Sequence, residues 1–262
     1  MSSLPSERKA LLFSAGGVRL ALRLAQLLEI RELQQGEGEV TVRGAPVPTA
    51  WVSTVLGLPA GTARFALVTE DRPRTALRVE ALHGIIDLAD AEFFQLPAHT
   101  LVPPPSPFAG ALVLKGEVAL ELAVSSLGFA PLAPAEDPPE APPSLGPWPE
   151  RELRFTRGPL TFGVPVSMVV AVSDAPSLAI VPLAPPSHRG LLYHGRAIHP
   201  VIDVGVFFAL APSLIPPEVL LLDAGGAAIG VVADKVLGLD RGREDDGVVR
   251  PPWDTIFAVA AP

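Results

Sequence analysis

The 262-residue sequence has no cysteine, which excludes a disulfide framework, a thiolate zinc site and a cysteine nucleophile together. Lysine is nearly absent too, with only Lys9, Lys115 and Lys235. Positive charge is in deficit: 20 Lys+Arg against 28 Asp+Glu leave a net charge of −8, the reverse of the basic face that binds nucleic acid. The deficit is shared, at −2 for residues 1–130 and −6 for the rest, so neither part reads as a basic domain. No window holds the ~18–20 uninterrupted apolar residues of a membrane span, so no direct membrane insertion is expected. The opening "MSSLPSERKALLF" puts charge where a signal peptide needs an apolar core. A soluble, cytoplasmic protein is the expectation.

What the sequence does have is apolar residues (48%), 31 prolines and 23 glycines. The length accommodates two domains of ordinary size. The clearest boundary is "PLAPAEDPPEAPPSLGPWPE", 131–150, where eight prolines rule out a helix interior or a central strand. It reads as an extended linker, with Trp148 able to pin it to a domain.

The flanking segments repeat. "LLFSAGGVRLALRLAQLLEI" (11–30) matches "LRFTRGPLTFGVPVSMVVAV" (153–172) at an offset of 142, setting Phe13 against Phe155 and Gly16 against Gly158. Gly44 matches Gly195 at 151. "ARFALVTEDRPRTALRVEALHGI" (63–85) matches "EVLLLDAGGAAIGVVADKVLGL" (218–239) at 154, pairing Val68 with Leu222, Glu80 with Asp234 and Gly84 with Gly238. Two copies with a period near 150 are two domains, not a solenoid. Within each, short apolar strands broken by Gly and Pro turns predict an all-β barrel or sandwich. Short helices are expected within 49–58 and 204–210, and within 87–96 with Asp90 as N-cap.

Sites for chemistry are few. His188, His194 and His199 lie near one another in sequence but lack the third ligand geometry of a zinc site, so no metal is expected. The acid pairs Glu70/Asp71, Glu136/Asp137 and Asp245/Asp246 fall in turn or linker contexts and read as solvated charge. "DAGGAAIG" (223–230) has the glycines of a phosphate loop but no following helix, so a hairpin turn is expected. There is no G-x-S-x-G. Trp253, Phe207 and Phe208 fit a core as well as an interface.

At "HGRAIHPVIDV" (194–204), approached by the proline-rich "VPLAPPSHRGLLY" and followed by "VVADKVLGL", the sequence resembles the CheW-like domain, whose signature runs N-L-R-G-x-x-x-P-hydrophobic-hydrophobic-D-L and later V-D-x-V-x-G. "VRGAPVPTAWV", "ALRVEALHGII" and the hairpin-like "LVLKGEVALELAVSSLG" (112–128) resemble the same motifs in the first copy. The resemblance implies two CheW-like domains, 1–130 and 151–262, each of two five-stranded SH3-like barrels. It also implies no catalysis and no cofactor. The implied partners are a CheA-type histidine kinase, the cytoplasmic helical hairpin of a chemoreceptor and other CheW-like proteins; the implied role is a chemosensory adaptor. The alternative is a divergent assembly scaffold with cytoplasmic partners outside a receptor array. The residues this assigns to partner binding are Glu29, Arg43, Gly44 and Trp51 in copy one, and His194, Gly195 and Asp203 in copy two.

The copies depart from the pattern differently. Copy one has Trp51 at the Asp position; copy two has His194 for the arginine, a hairpin one residue longer, and Ala171 where copy one has Glu29. Copy two has only 24 residues after Gly238, so 254–262 are expected to supply one closing strand and leave a β edge without its partner.

Overall fold

The structure, a computed structural model, describes residues 8–34, 39–70, 73–97, 100, 105–127, 131–136, 151–174, 176–213, 216–241 and 246–259. Two compact units emerge, one from 1–96 and 102–134, the other from 97–101 and 135–262. Residues 131–136 form no helix or strand, and the Leu132 amide donates to the Val55 carbonyl at 3.0 Å. The rest of the Pro-rich stretch, with Trp148, lies outside the described residues.

The first unit runs β1 (Lys9–Ala15), β2 (Val18–Arg23), β3 (Leu27–Glu32), β4 (Val40–Val42), β5 (Ala45–Val47), β6 (Thr49–Trp51), α1 (Val52–Val55), β7 (Phe65–Thr69), β8 (Ala76–Val79), β9 (Ala81–Asp87), β10 (Glu92–Phe94), β11 (Phe108–Leu114) and β12 (Glu117–Leu122). An outer sheet is ordered β10-β11-β12-β2-β1-β9 and an inner one β3-β7-β8-β6, with β4-β5 a separate hairpin. The second unit runs β13 (Glu152–Arg157), β14 (Leu160–Pro165), β15 (Val169–Asp174), β16 (Leu178–Ala179), β17 (His188–His194), β18 (Ala197–Ile202), β19 (Glu218–Asp223), β20 (Ala228–Ala233), β21 (Lys235–Asp240) and α2 (Trp253–Val259). Its sheets are β14-β13-β21 and β15-β19-β20-β18-β17-β16. The all-β expectation holds, and in both units the inner sheet is inserted between strands of the outer one.

The two units share details of register. β1 slips against β9 between Leu12 and Phe13, and β13 slips against β21 between Arg154 and Phe155, the same step at an offset of 142. The bulge needs a left-handed residue, and Gly84 (φ 122°) and Gly238 (φ 112°) supply it at matching places. The Glu80 carboxylate accepts from the Gly16 amide at 2.8 Å, and the Asp234 carboxylate accepts from the Gly158 amide at 2.6 Å. An acid at one site and a glycine turn 64 or 76 residues away are thus kept together in both units. One pairing shifts: Val68 stands opposite Ala76 and Leu221 opposite Gly230, so Val68 matches Leu221 rather than Leu222.

Of the expected helices, 49–58 contains α1, and 204–210 contains a 3-10 turn, Val204–Phe208. The third expectation is corrected. Residues 87–96 form a 3-10 turn, Leu88–Asp90, capped by Asp87 rather than Asp90, and then strand β10. Phe93 opposite Leu112 and Phe94 opposite Ala111 extend the outer sheet, a tertiary pairing that overrides the local helical signal.

The end of the second unit is also corrected. In the first unit β12 lies parallel to β2, Leu120 beside Leu20. In the second, Val249 bridges to Phe162 in the same sense, its amide donating to the Thr161 carbonyl at 2.8 Å and its carbonyl accepting from Gly163 at 2.9 Å. A short strap thus stands beside β14, and residues 253–259, where one closing strand with an unpartnered edge was expected from 254–262, form α2 instead. The helix closes the core: Trp253, Ile256 and Phe257 are buried, Trp253 packs against Phe155 with ring centroids 6.3 Å apart, and its Nε1 donates to the Gly163 carbonyl. Phe207 belongs to the same core and Phe208 packs against it, so three of the four aromatic candidates are core residues.

An ionic lock holds the strap. Arg250 forks through Nε and Nη2 onto the two Glu152 oxygens, each 2.8 Å away, and reaches Asp246 as well. Arg154 joins both acids. Asp246 is therefore a structural acid rather than free loop charge, and the hydrogen bond from Arg250 holds its carboxyl well below the usual range. Asp245 lies outside the described residues.

Candidate partner-binding surfaces

The Arg43 hairpin joins β4 to β5 through a two-residue turn in which Arg43 (φ 52°) and Gly44 (φ 80°) are both left-handed and exposed. β17 and β18 are joined the same way by Gly195 (φ 59°) and Arg196 (φ 62°). The two hairpins therefore have equal length, and the offset is 152 from Val42/His194 through Pro48/Pro200. The second copy has not lost its arginine to His194; the Arg-Gly order is reversed to Gly-Arg, and His194 is the last strand residue. Beside the first hairpin, Pro46, Pro48, Pro73 and Arg74 line an open depression of about 340 Å³. His199 has Nδ1 3.2 Å from the Ala228 carbonyl and Nε2 3.2 Å from that of His194. Among the described residues no three His, Asp or Glu side chains gather as a metal site.

Asp203 does not belong to a docking surface in this structure. It is fully buried, and its carboxylate takes Arg157 Nε at 2.9 Å and Nη2 at 2.8 Å, the Gly205 amide at 3.0 Å and the Ser213 amide at 2.7 Å. The acid caps the 3-10 turn and neutralises a buried arginine, which explains an aspartate there without reference to a partner. The first unit has dropped both charges together, with Ala15 at the Arg157 position and Trp51 at the Asp203 position.

Glu29 is exposed on the edge strand β3, 3.9 Å from Arg31 Nε. Its register fellow is Ala171, because both strands slip by one residue at the same step. Trp51 is 38% exposed at the end of β6, with the Arg78 guanidinium 5.5 Å from its ring centroid. "DAGGAAIG" is a hairpin connection as expected, the Gly226 amide turning back onto the Asp223 side chain.

The feature sequence reasoning missed is apolar and exposed. On β15, Val170 and Val172 are 59% and 42% exposed; on β21, Leu237 and Leu239 are 52% and 55% exposed. Both are edge strands, β15 of the inner sheet and β21 of the outer. Glu218 of β19, opposite Asp174 of β15, accepts from the Val236 amide of β21, so the inner sheet next to β15 is joined to the outer one. In the first unit Ile30 on β3 and Ile85 on β9 occupy the corresponding edges and are exposed as well. The signal was the lack of alternation in "VVAV": a half-exposed antiparallel strand usually turns polar residues outward.

No curated protein matches the chain. Among solved structures, it is similar to the crystal structure of scaffolding protein TtCheW from Thermoanaerobacter tengcongensis, at 17% identity and a TM-score of 0.33, covering 44% of this chain and 88% of that one. Sequence places the family signal in the second unit: residues 152–246 match the model of the CheW-like domain.

Proposed function

We propose that the chain is a non-catalytic, cytoplasmic scaffold of two CheW-like modules, 1–130 and 151–262 with a linker over 131–150, that couples a chemoreceptor's helical hairpin to a CheA-type histidine kinase. The observation that carries this reading is the pair of exposed apolar edges in the unit matching the family model, Val170 and Val172 on β15 with Leu237 and Leu239 on β21. Exposed apolar side chains on the edges of both sheets suit the apolar face of an amphipathic helix. Ile30 and Ile85 offer a smaller version in the first unit. Arg43, on an exposed turn, is the charge we assign to kinase recognition, where a rim charge sets specificity. Two modules on one chain gain effective concentration when both are engaged.

A second reading, an assembly scaffold with partners outside a receptor array, is favoured by the reversed Gly195–Arg196 turn and by Trp51 in the acid's place. Calorimetric titration of the intact protein with a receptor hairpin and with the kinase regulatory domain separates them. Leu239→Glu should weaken hairpin binding at least tenfold, and Arg43→Glu should do the same for the kinase. Neither residue is in the core, so thermal unfolding should be unchanged. Failure of the parent protein to bind either partner would favour the second reading.

A further inference from the structure

We infer that the depression beside the first hairpin is a binding site for a small carboxylic acid with a flat apolar body, an inference that does not depend on the family reading. The hollow, about 340 Å³ and open to solvent, is apolar at six of its seven lining residues, and the seventh is Arg74. A few polar groups among apolar walls are what orients a small molecule in its site, and here that group is one cation. Backbone hydrogen bonds fix the segment that carries it: the Ala76 amide donates to the Pro48 carbonyl at 2.9 Å, and the Thr75 amide to the Thr69 hydroxyl at 3.0 Å. The arginine itself is uncommitted. Its side chain makes no hydrogen bond or ion pair with any described residue, and of its three nitrogens only Nε is enclosed, so Nη1 and Nη2 are open to a ligand.

The second unit shows a filled version of the same place. By strand register Val47 matches His199 and Arg74 matches Ala228. There the imidazole reaches from hairpin to strand, its Nδ1 3.2 Å from the Ala228 carbonyl. In the first unit a shorter valine leaves that interval open, and an arginine stands beside it. The walls also select the anion. Pro46, Pro48 and Pro73 have no backbone N–H, so the hollow lacks the run of amides that cradles a phosphate, and its single guanidinium balances one negative charge. The same prolines deprive an extended peptide of donors to pair with. A monocarboxylate meets both conditions: its two oxygens take Nη1 and Nη2, and its apolar body lies against the proline rings, whose C–H edges suit the face of an aromatic ring.

The test titrates the intact, isotope-labelled protein with phenylacetate and follows the backbone amides of Val42, Ala45 and Val47. These should shift saturably, while those of His199 and Ala228 stay in place. Phenylacetamide, the neutral isostere, and acetate, which lacks the ring, should each bind at least tenfold more weakly, and inorganic phosphate should shift none of these amides. Arg74→Gln should weaken phenylacetate binding at least tenfold with thermal unfolding unchanged, because the side chain holds nothing else in place. No saturable shift, equal affinity for phenylacetamide, equal affinity in Arg74→Gln, or tighter binding of a capped glutamyl-phenylalanine peptide than of phenylacetate would overturn the inference. The comparison of phenylacetate with its amide uses the parent protein alone and decides the matter if Arg74→Gln does not fold.

Discussion

Asp203→Asn removes one charge and one acceptor. The side chain keeps its shape, but the Gly205 and Ser213 amides donate to different carboxylate oxygens, at 3.0 and 2.7 Å, so the single Asn oxygen serves only one of them and the other amide faces the new NH2. What it abandons is Arg157, whose side chain is 9% exposed and whose nearest other acid, Asp234, is 3.9 Å away. Breaking a buried pair by removing one partner costs about 3–5 kcal/mol, most of it the desolvated charge left behind. The retained Asp234 contact and the Arg157 hydrogen bond to the Ala211 carbonyl put this case at the lower end, about 3 kcal/mol. Arg157→Leu in the same molecule removes the stranded charge, and the double variant should recover to within about 2 kcal/mol of the parent, the remainder being the one amide left without an acceptor. Urea unfolding of the full chain, followed by the emission of the buried Trp253, reports the second unit. If the double variant loses the sum of the two single losses, the pair is not coupled and the account of Asp203 as a structural acid is wrong.

Two further predictions concern the same unit. Trp253→Ala, which empties a ring packed against Phe155 and Phe257, should cost about 3–5 kcal/mol and, with unfolding followed by circular dichroism because the reporter ring is gone, shift the second unit's transition alone, leaving the first unit's unchanged. His188 is fully enclosed, and burial, with Arg189 nearby, pushes its pKa down from 6.5 to about 3. The unfolded chain then binds a proton below pH 6.5 that the folded one refuses, so stability should fall by about 1.4 kcal/mol per pH unit between 6.5 and 3. His188→Leu should flatten that slope; an unchanged slope in unfolding measured from pH 4 to 7 would assign it to other groups.

How much was readable in advance depended on whether the partners of a residue were local. The repeat was legible because Phe13/Phe155, Gly16/Gly158 and Glu80/Asp234 recur at near-constant spacing and answer to the same bulge and turn. Asp203 was misread because its meaning lies in Arg157, 46 residues upstream, and no local pattern announces that pairing. α2 carried its own signal, since Trp253, Ile256 and Phe257 have helical spacing directly after Pro251 and Pro252. The analogy with the first copy's closing hairpin outweighed it. The hairpin turns show a finer limit: Arg-Gly and Gly-Arg make the same two-residue turn, and matching the glycines rather than the turn moved His194 by one place.

The insertion of one sheet within another also orders events in time. In each unit the inner strands come from one uninterrupted run, 27–79 or 169–233, whereas β1 must find β9 and β13 must find β21 across that run. Once the inner run has collapsed, its ends are held and the outer strands no longer close a loop of disordered chain. Each doubling of such a loop costs only about 0.6 kcal/mol, so nesting changes final stability little. Its effect falls on rate, because the most distant pairings wait for the least expensive route to each other. Val172 and Leu239, on the edges of the inner and outer sheets, are therefore not both in place until β21 has closed on β13, so a unit that has folded its inner sheet alone presents only part of the exposed apolar set.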